Sequence, residues 1–318
     1  MKKMILLACM VLGWVACDKD DVCSRDSEPT NNVIRFSPSI ISATMTSRTA
    51  YSGSSASWIS GDAIGIYADR PTGNPPANVQ YSYNGTAWTT STNLYWTDGI
   101  TAHKFLGYAP YAAANPTYTA VKLPSLTGQT GTIDPTKDFL ISNNAWTTGV
   151  TRPASAPYSV SLIFTHALTL IEFNISVTGF AANTTLTNLI TAVSSGGALI
   201  TSDATTSTIN LTNGAITAGT TANTVTATPG TPPTLSATPT KLYLLILPGT
   251  YTSPTLAVTL SEAGTAVSVP AAAIGTTTFA PATKYAYTVN VTRTAITISN
   301  PSITDWISGT GGNINIPL

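Results

Sequence analysis

Apolar and polar residues alternate with a period of two through much of this chain, and no segment carries the period of an amphipathic helix. YSVSLIF (158–164) sets Tyr158, Val160, Leu162 and Phe164 against Ser159 and Ser161. IEFNISV (171–177) sets Ile171, Phe173, Ile175 and Val177 against Glu172, Asn174 and Ser176, and YAYTVNV (285–291) repeats the pattern. Strands of this kind cover a core with one face only. VIRFSPSI (33–40) also alternates, with Ile34, Phe36 and Ile40 on one side, whereas AIGIYA (63–68) has the character of a short buried strand. Asn84-Gly85, between Tyr83 and Trp88, predicts a hairpin. Glu262-Ala263-Gly264 predicts another, between TLAVTL (255–260) and AVSVP (266–270). The apolar parity changes between Phe164 and Ile171, which predicts a bulge or bend near His166. Residues 201–240, rich in Thr and Ala and broken by Pro229, Pro232, Pro233 and Pro239, predict irregular strands and long loops.

These elements predict an all-β chain of two β-sandwich domains in tandem. NNAWTTGVTRPASAP (143–157) is aperiodic and interrupted by proline and glycine. It sets the expected boundary between an N-terminal sandwich (33–157) and a C-terminal one (158–294), followed by strands in 295–318.

The chain's start changes the picture. Lys2 and Lys3 precede an apolar run, Met4 to Val15, that is too short to cross a bilayer, and Ala16 then stands before Cys17. Residues 1–16 read as a signal peptide and Cys17 as the acylated N-terminus of a bacterial lipoprotein, anchored in the membrane. Trp14 stands where the lipidation motif usually has Leu. Residues 17–32 then form a polar tether. Cys17 and Cys23 have no His nearby to complete a metal site. Charged residues make up 9% of the chain, against about a quarter in ordinary domains, and 14 bases balance 14 acids. That composition excludes a phosphate-binding surface and hence nucleic acid as a partner. Hydrophobic residues, at 43%, suffice for a core.

Candidate chemistry is sparse. His103 lies in a strand-like run and His166 at a bend, and no G-x-S-x-G elbow is present. Glu28, Glu172 and Glu262 are scattered, and GTGG (309–312) lacks the Lys-Ser/Thr of a phosphate loop. The expectation is a non-enzyme without catalytic residues, metal or cofactor. Tyr81, Tyr83, Trp88, Tyr95 and Trp96 offer a sugar-stacking platform, although aromatic pairs across strands are also ordinary sheet packing.

WISGDAIGIY (58–67) resembles the W-x-x-G-D-x-I-G-x-Y motif of the fimbrillin-like proteins of Bacteroidales. Further matches follow in order: YW (95–96), KFLGYAPY (104–111), DFLIS (138–142), LIFTHALTLIEFNI (162–175), YAYTVNV (285–291) and ITDW (303–306). The likeness spans nearly the whole chain after the signal and is weakest over 180–240. It implies two transthyretin-like Greek-key sandwich domains and a type V pilus subunit made as a surface lipoprotein. It further implies polymerisation by strand exchange, in which a protease cuts after an arginine beyond the first strand, that strand leaves, and a neighbouring subunit's strand fills the groove. CDKDD (17–21) resembles the surface-export signal of Bacteroides lipoproteins. Against that background Pro38, which cannot donate to a ladder, suits an edge strand. SATMTSRTAYSGSSAS (42–57) has the composition of a nickable loop, with Arg48 as its only basic residue and the expected cleavage point. Arg35, within the strand, is a poorer second. Ile296, Ile298, Ile314, Ile316 and Leu318 alternate in the C-terminal runs and are either a donor strand or closing strands of the second domain. The expected partners are other pilus subunits and the outer membrane. The alternative is a tip adhesin or carbohydrate-binding surface lipoprotein with host or bacterial surface ligands.

Overall fold

The computed structural model describes residues 32–40, 58–69, 77–195 and 198–306. Among them there is no α-helix. The strands run β1 (Arg35–Ile40), β2 (Ala63–Asp69), β3 (Val79–Tyr83), β4 (Trp88–Thr89), β5 (Lys104–Ala109), β6 (Val121–Lys122), β7 (Leu140–Ser142) and β8 (Ser159–His166). They continue with β9 (Thr169–Val177), β10 (Thr185–Ala192), β11 (Ile200–Thr201), β12 (Thr208–Ile209), β13 (Ile216–Thr217), β14 (Thr221–Ala222), β15 (Thr224–Ala227) and β16 (Thr240–Ile246). The last are β17 (Gly249–Thr250), β18 (Thr255–Glu262), β19 (Thr265–Ala273), β20 (Thr278–Phe279), β21 (Thr283–Val291), β22 (Ile296–Ile298) and β23 (Ser302–Asp305).

A seven-stranded sheet has the order β1-β8-β7-β5-β2-β3-β4. Its inner face curls around a core that includes Phe36, Ile64, Ile66, Tyr81, Phe105, Leu162 and Phe164. The outer faces of its middle strands, with Tyr67, Leu106, Tyr108 and Ile141, join a second and larger core. That core also takes in β9, β10, β18 and β21, from a sheet ordered β15-β10-β18-β19 and another ordered β16-β9-β21-β22, with β23 also on β21. Burial on both faces explains why β2 and β5 read as unbroken apolar runs while β8 alternates.

Both hairpins form as expected. Tyr83 faces Trp88 around Asn84-Gly85, and Glu262 faces Thr265 around Ala263-Gly264. The bend near His166 is a change of sheet: β8 pairs with β1 and β7, whereas β9, three residues on, pairs with β16 and β21. The sheets therefore part at Ala167-Leu168. A boundary at residue 157 would detach β8 from the strands it bonds to. Residues 143–157, with Pro153 and Pro157, connect β7 to β8 within that sheet. Residues 201–240 carry mainly two-residue strands, as their composition predicts.

The 58–67 motif builds the start of β2. Gly61 has a φ of 98°, closing a turn in which the Ile59 amide donates to Asp62 Oδ2 at 2.9 Å and the Asp62 amide to the Ile59 carbonyl at 3.0 Å. Gly65 lies beneath Tyr108, so a Cβ there would overlap the phenol ring and Asn78 Oδ1. The Tyr108 hydroxyl donates to Asn78 Oδ1 at 2.8 Å and accepts from Asn115 Nδ2 at 3.1 Å, tying β5 to the loops around it. Gly65→Ala is expected to lower the unfolding free energy by about 1–3 kcal/mol through overpacking. Urea denaturation checks this, and an unchanged midpoint would show that the ring moves aside freely.

Candidate strand-exchange site

β1 is an edge strand. It runs parallel to β8 in the register Arg35 opposite Ser159 through Ile40 opposite Phe164. Among the described residues its other side is tied only at its start, where the Ile34 amide donates to the Leu94 carbonyl at 2.7 Å and the Trp96 amide to the Asn32 carbonyl at 2.9 Å. From Arg35 onward that side faces the β3–β4 hairpin and pairs with no strand among the described residues. Ile34, Phe36 and Ile40 are buried, while Arg35, Ser37 and Ser39 are exposed. Phe36 is the main anchor, edge-on to Tyr81 at 5.1 Å and to Phe105 at 5.3 Å. Pro38 sits opposite Leu162 and has no N–H to give. Beyond β1, Ile40 and Trp58 both lie against Phe164, the first by register and the second by a ring contact at 5.2 Å. Ile40 and Trp58, the described residues on either side of 41–57, thus meet at one side chain.

The C-terminal strands lie along the edge of β21. Ile298 faces Val289 and Ile296 faces Val291. β23 continues on the same edge, with Ser302 opposite Ala286 and Asp305 opposite Thr283. Ile296 is buried and Ile298 half-buried on that edge. All four residues of β23 are exposed, and Ile303 keeps 58% of its surface in solvent. The strand ends at Trp306, which is 2% exposed. Its amide donates to the Ala282 carbonyl at 2.6 Å. Its indole stacks on the His166 imidazole, 3.7 Å between centroids with 6° between planes. His166 Nδ1 lies 2.9 Å from Asp138 Oδ1, and both side chains are buried. Amide donation from Ala167 to the Phe139 carbonyl and from Ala282 to the Leu168 carbonyl continues this contact across the place where the sheets change. The sequence shows each member of the Asp138–His166–Trp306 cluster inside a motif (DFLIS, FTHAL, ITDW), but not that the three meet.

The other candidates fall apart as a group. His103 is buried, with Nδ1 3.0 Å from the Thr101 carbonyl and Nε2 3.2 Å from Thr97 Oγ1, so it is held structurally. Glu172 is buried between Lys241 at 3.2 Å and Lys284 at 3.6 Å. Burial alone would raise its carboxyl, but hydrogen bonding from Lys241 and Asn174 and the charge of Lys284 hold it below the usual range. Among the described residues no group of three or more His, Cys, Asp or Glu side chains gathers as a metal would require. Tyr81 and Trp96 are core residues, which leaves Tyr83, Trp88 and Tyr95 half-buried at the surface. Cys17, Arg48, GTGG (309–312), Ile314, Ile316 and Leu318 lie outside the described residues.

A family profile described as fimbrillin-like matches residues 47–306. The chain belongs to the fimbrillin-like family. Two solved structures share its fold. One, from Bacteroides uniformis, is provisionally described as a cell adhesion protein; it is 19% identical, covers 88% of this chain and 100% of its own, and has a TM-score of 0.58. The other, from Bacteroides ovatus and described in the same way, is 20% identical, covers 88% and 99%, and has a TM-score of 0.60. No curated protein matches the chain. These neighbours bear out the all-β sandwich class.

Because Phe36 is the main anchor of the edge strand, Phe36→Ala is expected to cost about 3–5 kcal/mol of stability. Chemical denaturation checks it, and a loss below about 1 kcal/mol would mean that β1 adds little to the first core.

Proposed function

We propose that this chain is a structural subunit of a type V pilus, exported as a surface lipoprotein and polymerised by strand exchange. In this reading it has two tandem transthyretin-like domains and no enzymatic role. Cys17 takes the lipid that holds the precursor on the outer membrane, with Lys19, Asp20 and Asp21 directing export. A protease cuts after Arg48, β1 departs with the tether, and a neighbouring subunit's strand takes its place on β8.

The observation that carries the reading is the one-sided attachment of β1. A strand bonded along one edge, with a proline within it, leaves without disturbing the other strands of its sheet. Its loss exposes the β8 backbone and the inner side chains of Val160, Leu162 and Phe164, a groove that an alternating apolar strand satisfies. The meeting of Ile40 and Trp58 at Phe164 supports the same reading, because a cut between them frees β1 without separating other paired strands.

Residues 295–318 are the proposed donor. Those beyond Trp306, with Ile314, Ile316 and Leu318, can be offered while β22 and β23 stay on β21. Donation of Ile296 and Ile298 requires that edge to peel, and the exposure of β23 makes this the less costly edge of its sheet to open.

Trypsin-like cleavage after Arg48 is expected to convert the purified precursor into a ladder of SDS-resistant oligomers, and deletion of residues 295–318 to abolish the ladder. Trimmed protein that stays monomeric, with no effect of the deletion, would contradict the reading.

A further inference from the structure

The first sheet does not close on itself. β1 and the β3–β4 hairpin face each other across a cleft of about 670 Å³, shut at one end by the pairing of Val33 with Tyr95. We propose that this cleft binds an oligosaccharide, with a sugar ring stacked on the aromatic wall formed by Trp88 and Tyr83.

The wall is built and held. The Trp88 and Tyr83 rings lie 5.2 Å apart at 32°, and both are half-buried with surface facing the cleft. Trp58 and Trp88 meet as a T-shaped pair at 5.1 Å, and Trp58 itself contacts Phe164 in the core at 5.2 Å. The indole is therefore fixed before any ligand arrives, which removes much of the ordering cost of binding. A flat apolar ring matches the C–H face of a pyranose, and the quadrupole of the ring favours that contact. Around this wall the cleft is lined by Ser37, Ser39 and Asn93, and by Thr86 and Thr89, whose hydroxyls already donate to Asn84 Oδ1 and the Ser82 carbonyl. Few convergent polar groups around an apolar floor is the make-up of a small-molecule site. Among the described residues lining it Arg35 is the only charged one, so the chemistry suits a largely neutral ligand.

An added peptide strand fits less well. Pro38 removes a donor from the β1 edge that such a strand would use.

The inference stands apart from strand exchange, because it concerns the precursor with β1 in place. If β1 is later replaced, one wall of the cleft is rebuilt by the incoming strand while the aromatic wall stays.

The test titrates the full-length secreted chain, uncut, with chitohexaose, xylohexaose, maltohexaose and mannohexaose, following tryptophan fluorescence and calorimetry. At least one is expected to bind. Trp88→Ala is expected to weaken that binding at least about tenfold, Trp88→Phe to keep part of it, and Ser37→Tyr, which fills the cleft from the opposite wall, to abolish it. Trp146→Phe, away from the cleft, is expected to leave it unchanged. Absence of binding to all four sugars by a chain with an unaltered melting profile would overturn the proposal. So would binding that survives both Trp88→Ala and Ser37→Tyr, or cleft occupation by an extended peptide that no sugar displaces.

Discussion

A buried strand needs backbone partners, and β8 finds one of its two in a strand that is itself paired on one side only. That constraint organises the molecule. β8 carries Val160, Leu162 and Phe164 into the first core, and β1 covers its flank with Ile34, Phe36 and Ile40. Without β1, β8 presents an unpaired edge beside an opened core, and both faults call for the same remedy: another extended chain with apolar residues at alternate positions. The opposite edge of β8, bonded to β7, has no such dependence.

The rest of the first sheet supplies the rigidity that makes a groove rather than a collapsed core. β2 and β5 are covered on both faces, and the Tyr108 ring lies in the space that Gly65 leaves open. A second fixed point lies where the sheets change. There Trp306, His166 and Asp138 bring the end of the described chain against the end of β8. The end of the described chain and the end of β8 are therefore fixed against each other.

Much of this was legible in the residues, for identifiable reasons. Alternation in β8, β9 and β21 is visible because each puts one face on a core. The hairpins are visible because Asn84-Gly85 and Ala263-Gly264 supply the backbone freedom of tight turns. The family motif is visible because its glycines and aromatics are held by close packing, as Gly65 and Tyr108 show. What was hidden involves partners distant in sequence. A proline-rich loop looks like a linker when the strand after it returns to the preceding sheet, and only pairing in space assigns β8. The three-residue cluster at Trp306 was present as separate motif letters. The sugar-stacking platform divided, because Tyr81 and Trp96 alternate inward while Tyr83 and Trp88 stand at the mouth of the same core.

The central claim is that β1 is held as a separable piece of an otherwise interdependent sheet. Native-state amide hydrogen exchange of the uncut chain tests it most directly. The account predicts that amides of β1 exchange through a local opening whose free energy lies well below that of global unfolding, while those of β7, β5 and β2 exchange only when the sheet unfolds. If β1 amides exchange only with global unfolding, at the same free energy as β7 and β5, then β1 is not separable and the account is wrong.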